Sequence, residues 1–82
     1  MSELKDKVLK IFSDILELDV SELSDETSPD NTPEWDSLAA MNLVSALEEK
    51  FSVSLSTGEI MKMRSIAVVH RVLQEKGIDL FR

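Results

Sequence analysis

From Asp36 to Phe51 apolar residues return at steps of three and four, as Leu38, Met41, Val44, Leu47 and Phe51, with Leu43 widening the stripe. That is the period of an amphipathic helix, and no Gly, Pro or β-branched run interrupts it before Phe51, so intrinsic propensity agrees with pattern. Asp36 marks the start. Its carboxylate can accept from backbone N–H groups that no helical carbonyl reaches, which places Ser37 on the first helical position. The spacing predicts a helix over 37–51.

The segment before it cannot be regular. Residues 25–35 carry Pro29 and Pro33 among Ser, Thr, Asn and Asp side chains, a composition that favours turns. The acid density invites a test for a calcium loop. In the twelve residues from Asp25 to Asp36, Pro29 holds the fifth place and Asp30 stands where the EF-hand needs glycine, so the pattern fails and no dedicated metal site is expected. Trp35 is expected to anchor the end of this loop to the core.

The remaining segments give a helical chain. A first helix, capped by Ser2, should run to about Leu16 or Leu18 with Leu4, Val8, Ile11, Phe12, Ile15 and Leu16 on one face. Asp19–Leu23 reads as a tight turn pinned by Val20 and Leu23. Val53 and Leu55 alternate with serines, but with no second strand to pair they form an extended connector with two buried side chains. Ser56 and Glu59 have capping-box spacing and open a third helix of one to two turns. Ser65 can cap a fourth helix, from Ile66 to about Lys76, with Ile66, Val69, Val72 and Leu73 inward and Gly77 as its terminator. The tail, 78–82, is left open between fraying and folding back. The expected fold is all-α, one domain over residues 1–82: a three-to-four-helix up-down bundle with a long loop between helices one and two and a short third helix.

Charge and composition remove whole classes of function. The chain has no cysteine, so a disulfide framework and thiolate metal sites are unavailable to it and any thiol chemistry must come from outside the polypeptide. The net charge is −7, and residues 17–59 hold eleven acids against one base. Such a middle repels nucleic acid and steers the molecule towards basic surfaces on other proteins. No apolar run reaches the ~18 residues of a membrane span and the N-terminus lacks a signal peptide's apolar centre, so a soluble, cytoplasmic monomer that avoids membranes is expected. His70, the single histidine, sits in an apolar helix without a Gly-x-Ser-x-Gly elbow elsewhere in the chain. It reads as a structural residue, and a hydrolase built on Ser37 lacks an organised base.

Taken together, Asp36-Ser37-Leu38, the apolar-periodic helix, Leu47-Glu48-Glu49-Lys50-Phe51 and Val53-Ser54-Leu55 resemble the acyl carrier protein family. The resemblance implies that Ser37 carries 4′-phosphopantetheine, donated from coenzyme A, with Asp36 and Leu38 flanking the attachment point and Asp36 helping to place a Mg²⁺ during the transfer. It implies a non-catalytic carrier that holds acyl intermediates as thioesters and delivers them to enzymes of fatty-acid or polyketide-like biosynthesis. The expected partners are a phosphopantetheinyl transferase and acyl-transferring or ketosynthase-type enzymes with basic docking patches. In family terms the second helix is the docking face, which here presents Leu38, Met41, Asn42, Ser45, Glu48 and Glu49; Leu38 and Met41 read equally well as core. An apolar cargo would enter between helices two and three, near Val44, Leu47, Ile60 and Met63. Ala39 and Asn42 are neutral where the best-known fatty-acid members place acids, which leans towards specialised or polyketide-like pathways. The alternative is an acidic helical protein–protein interaction module without a prosthetic group, in which Asp36-Ser37 is only a cap.

Overall fold

The computed structural model describes residues 3–80. Ser2, expected to cap the first helix, and Phe81 and Arg82 of the tail lie outside the described residues. Four α-helices form: α1 (Glu3–Leu16), α2 (Ser37–Phe51), α3 (Thr57–Lys62) and α4 (Ile66–Glu75). α1 packs directly on α2, and the long loop joins them. Among the described residues no helix is long and apolar enough to cross a membrane.

The three longer helices each bury a face set by their period, whereas α3 buries none of its residues. Val8, Phe12 and Leu16 of α1 meet Ala39, Leu43 and Leu47 of α2, and Ile66, Val69, Val72 and Leu73 of α4 complete the core. Leu55 and Met63 join from either side of α3, and Leu80 folds back to be fully buried, its N–H donating to Gln74 Oε1 at 3.1 Å. The tail therefore belongs to the core at least as far as Leu80.

The ends of the long helices use one device. Leu18 donates to the Ser13 carbonyl, Val53 to Glu48 and Ile78 to Leu73, each reaching back five residues. This is the 6→1 bond of a Schellman ending, which needs a left-handed residue just before the donor. Gly77 supplies it at φ 94° for α4, whereas Glu17 and Ser52 adopt φ 57° and 54° for α1 and α2. Only the first of these three is visible in sequence as a glycine.

The long loop is ordered by its own polar side chains. Asn31 Oδ1 accepts from the Ser28 N–H (3.0 Å) and the Thr32 hydroxyl (2.7 Å), while its Nδ2 donates to the Glu26 carbonyl at 2.9 Å. Thr27 and Thr32 are buried, with Thr27 Oγ1 accepting from the Ser24 N–H at 2.9 Å. The loop backbone then reaches across the fold. Ile66 and Ala67, in the first turn of α4, donate to the carbonyls of Thr27 (3.0 Å) and Asp25 (3.1 Å). Those N–H groups have no partner within their own helix, so the loop satisfies them.

One expectation is corrected here. Val20 does not pin the turn after α1: it is 45% exposed, in a 3-10 turn (Val20–Glu22) that Asp19 and Glu22 hold by a reciprocal capping box. A capping box satisfies the turn's N–H groups without burying a side chain. On α2 the structure decides between the two readings left open for Leu38 and Met41. Ala39, Leu43 and Leu47 face the core, while Leu38 and Met41 point out.

Candidate functional site

The site begins with Trp35. Its ring is buried edge-on against Phe12, centroids 5.1 Å apart and planes at 67°, a favoured aromatic geometry. The backbone N–H of Trp35 donates to the Thr32 carbonyl at 2.9 Å. The loop therefore arrives at Asp36 with position and direction fixed. Asp36 is extended (φ −94°, ψ −173°), and its Oδ1 accepts from the Ala39 N–H at 2.9 Å while its carbonyl accepts from Ala40 at 2.9 Å. This is the N-cap read from the sequence. Ser37 opens α2, exposed to solvent.

Ser37 borders a depression of about 290 Å³ lined also by Pro29, Trp35, Asp36, Ala40 and Arg64. Arg64 is paired with Asp30, Nη2 to Oδ1, at 3.2 Å. An exposed hydroxyl beside an open hollow and a guanidinium fits a phosphodiester-linked group: the oxygen is reachable, there is space beyond it, and a cation is present to face the phosphate. Sequence reasoning did not find Arg64, because it stands 27 residues away beyond α3 and only the fold brings it here.

The outward face of α2 is apolar where it adjoins Ser37. Leu38 and Met41 are 68% and 69% exposed, and Met61 of α3 is 72% exposed. Asn42, Ser45 and Glu49 are exposed beyond them. Glu48 is differently placed: half-buried, with Oε2 accepting from the Leu55 N–H at 2.8 Å. It holds the α2–α3 connector as well as carrying charge.

Between α2 and α3 an open groove of about 270 Å³ is lined by Ala40, Met41, Val44, Ser45 and Ile60. Ala40, Val44 and Ile60 also border an inner cavity of about 30 Å³ that Phe12, Trp35, Leu43 and Met63 close off. Val44, Ile60 and Met63, expected to receive a chain, thus gather at one place. Leu47 is fully buried and borders neither space.

His70 lies elsewhere. It is 3% exposed in α4, its Nδ1 3.5 Å from Asp25 Oδ1, and borders a separate hollow with Ala67 and Gln74. Burial pushes its pKa down, the Asp25 carboxylate partly opposes this, and Lys5 adds to the lowering. It does not line the hollow beside Ser37. Among the described residues no group of three or more acidic or histidine side chains is placed to hold a metal ion.

A family model described as "Phosphopantetheine attachment site" matches residues 6–73. "Polyketide-8 synthase acyl carrier protein 2" of Streptomyces avermitilis is 28% identical over 72 residues, covering 88% of this chain and 83% of the relative. An "Acyl carrier protein homolog" of Clostridium acetobutylicum is 32% identical over 75 residues, covering 88% and 73%. The solution structure of a holo acyl carrier protein from Nitrosomonas europaea superposes with a TM-score of 0.76 at 28% identity, over 90% of this chain and 95% of that one.

Proposed function

The chain belongs to the acyl carrier protein family, whose members are non-catalytic carriers with a phosphopantetheine attachment site, and from that premise we propose that Ser37 is the attachment point. The observation that carries the reading is the exposed Ser37 hydroxyl at the first position of α2, capped by Asp36 and bordering the open hollow. When bound, the arm supplies a terminal thiol on which an acyl group is held as an activated thioester.

The polypeptide's part is to present and to position. Trp35 and Asp36 fix the start of α2 so that Ser37 meets a transferase in one orientation. A rigid helix start with a flexible arm confines the cargo near each docked enzyme, which raises its effective concentration there. Leu38 and Met41 form the centre of the proposed docking face, with Asn42, Ser45 and Glu49 around them and Glu48 at its margin. Apolar centres with charged rims suit partners that carry a basic patch around an apolar pocket.

Partners are a phosphopantetheinyl transferase and the biosynthetic enzymes that act on the cargo. The neutral, exposed Asn42 and the likeness to a polyketide synthase carrier support a place in polyketide-like biosynthesis. The test is incubation with a phosphopantetheinyl transferase and coenzyme A, followed by intact mass and peptide mapping. One arm on the peptide containing Ser37, and none on Ser37→Ala, is the expected result; an arm on another serine overturns the assignment.

A further inference from the structure

Resting on Ser37 as the attachment point, we propose that Arg64 is the counter-ion of the phosphodiester formed there, poised for it by Asp30. Among the described residues lining the hollow beside Ser37, Arg64 is the one cation; Pro29, Trp35 and Ala40 are apolar and Asp36 is acidic. Lys50, the sole base between residues 17 and 59, borders a different groove, on α1 with Lys7 and Lys10. A phosphodiester at Ser37 would add a negative charge beside Asp36 and close in sequence to Glu34.

Arg64 is suited to answer that charge. It lies between α3 and α4, where its backbone N–H donates to the Lys62 carbonyl at 2.8 Å. Its ion pair with Asp30 is exposed on both sides, 61% and 83%, so it is readily exchanged. A guanidinium has five N–H donors in a planar fork, and the one bond to Asp30 leaves others to meet two phosphate oxygens. The pair thus holds the side chain over the hollow before loading and releases or shares it afterwards. Arg64 is a positioning residue: by fixing the first linkage of the arm, it directs the arm across Ala40, which borders both this hollow and the groove between α2 and α3.

The test compares apo and holo protein by ³¹P and ¹H–¹⁵N NMR, with loading at Ser37 first verified by intact mass. In the wild type, the Arg64 Nε–Hε signal should shift on loading. In holo Arg64→Gln the ³¹P resonance should move towards that of a free phosphodiester and sharpen; Arg64→Lys should keep part of the effect. High salt should shift the wild-type signal in the same direction as the glutamine variant. Matching amide spectra away from the hollow establish that the variants fold. A ³¹P signal identical in wild type and Arg64→Gln, or an Arg64 side chain unmoved by loading, overturns the counter-ion role while leaving Ser37 in place. Failure to load Ser37 at all overturns both.

Discussion

The carboxylate of Glu48 accepts the backbone N–H of Leu55 at 2.8 Å, across the bend that joins α2 to α3. Leu55 is buried, so deleting the acceptor strands a donor in a place water reaches poorly. We expect Glu48→Ala to cost about 1–3 kcal/mol, read by urea denaturation, and Glu49→Ala to stay within about 0.5 kcal/mol. Charge reversal at both positions would mix a folding defect with a docking defect; Glu49 alone is the clean probe of steering. Equal stability of the two alanine variants would remove the connector from Glu48's role.

Trp35 and Phe12 supply the second prediction. Trp35→Ala should cost about 3–5 kcal/mol, as for other buried aromatics, a large share of the roughly 4–12 kcal/mol expected for a chain of this size. Trp35→Phe, which keeps a ring against Phe12, should cost much less. Thermal melts distinguish them, and loading of Ser37 should fail in step with the unfolded fraction.

His70 gives a dependence on pH with a definite sign. Its pKa in the fold lies below its ordinary 6.5, chiefly through burial, so the unfolded chain takes up a proton first. Stability should therefore be full above about pH 6.5 and decline as the pH falls below that value towards the folded pKa. Further down, Glu59 adds to the loss: Lys76 and the Ser56 N–H hold its carboxyl below the usual range. Denaturation midpoints against pH should lose the upper slope, but keep the lower one, in His70→Leu. An unchanged upper slope would acquit His70.

Leu38 and Met41 are large apolar side chains left mostly exposed in the isolated fold. Replacing both by Ala should leave stability within about 0.5 kcal/mol and slow arm transfer about fivefold or more, the range of a weak interface hot spot. Steady-state kinetics with the transferase measure it. Unaltered kinetics would move the docking face off this part of α2.

The inner cavity bounds the cargo. At about 30 Å³ it has room for roughly one water molecule, so a medium acyl chain must displace side chains to enter. Amide and methyl shifts of an octanoyl form, compared with the holo form, should respond at Val44, Ile60 and Met63 and much less at Leu47. Shifts confined to Ser37 and its neighbours would place the chain in solvent.

The limits of α2, the caps at Asp36, Ser56 and Ser65 and the inward face of α4 were legible because each depends on residues within one or two turns. What escaped depends on distance or on a tie between local choices. Leu38 and Leu43 are equally apolar, and only packing against α1 decides which one goes inside. Glu17 and Ser52 take left-handed backbone without a glycine to announce it. Thr27 and Thr32 look like solvent-facing loop residues, yet the loop folds over α4 and buries them. Glu48 reads as surface charge until Leu55 is seen beneath it. Arg64 reads as the end of a helix until the fold sets it beside Ser37.

The hydrogen bonds on either side of α3 make it a short beam carried on fixed posts. One post is Leu55, tied to Glu48; the other is Ile66, tied to the Thr27 carbonyl. A strut between Lys76 and Glu59, 2.8 Å long, braces the beam from α4. A beam so mounted holds Ile60 at the edge of the groove beside α2, and anything that widens the groove must stretch or break one of these three contacts.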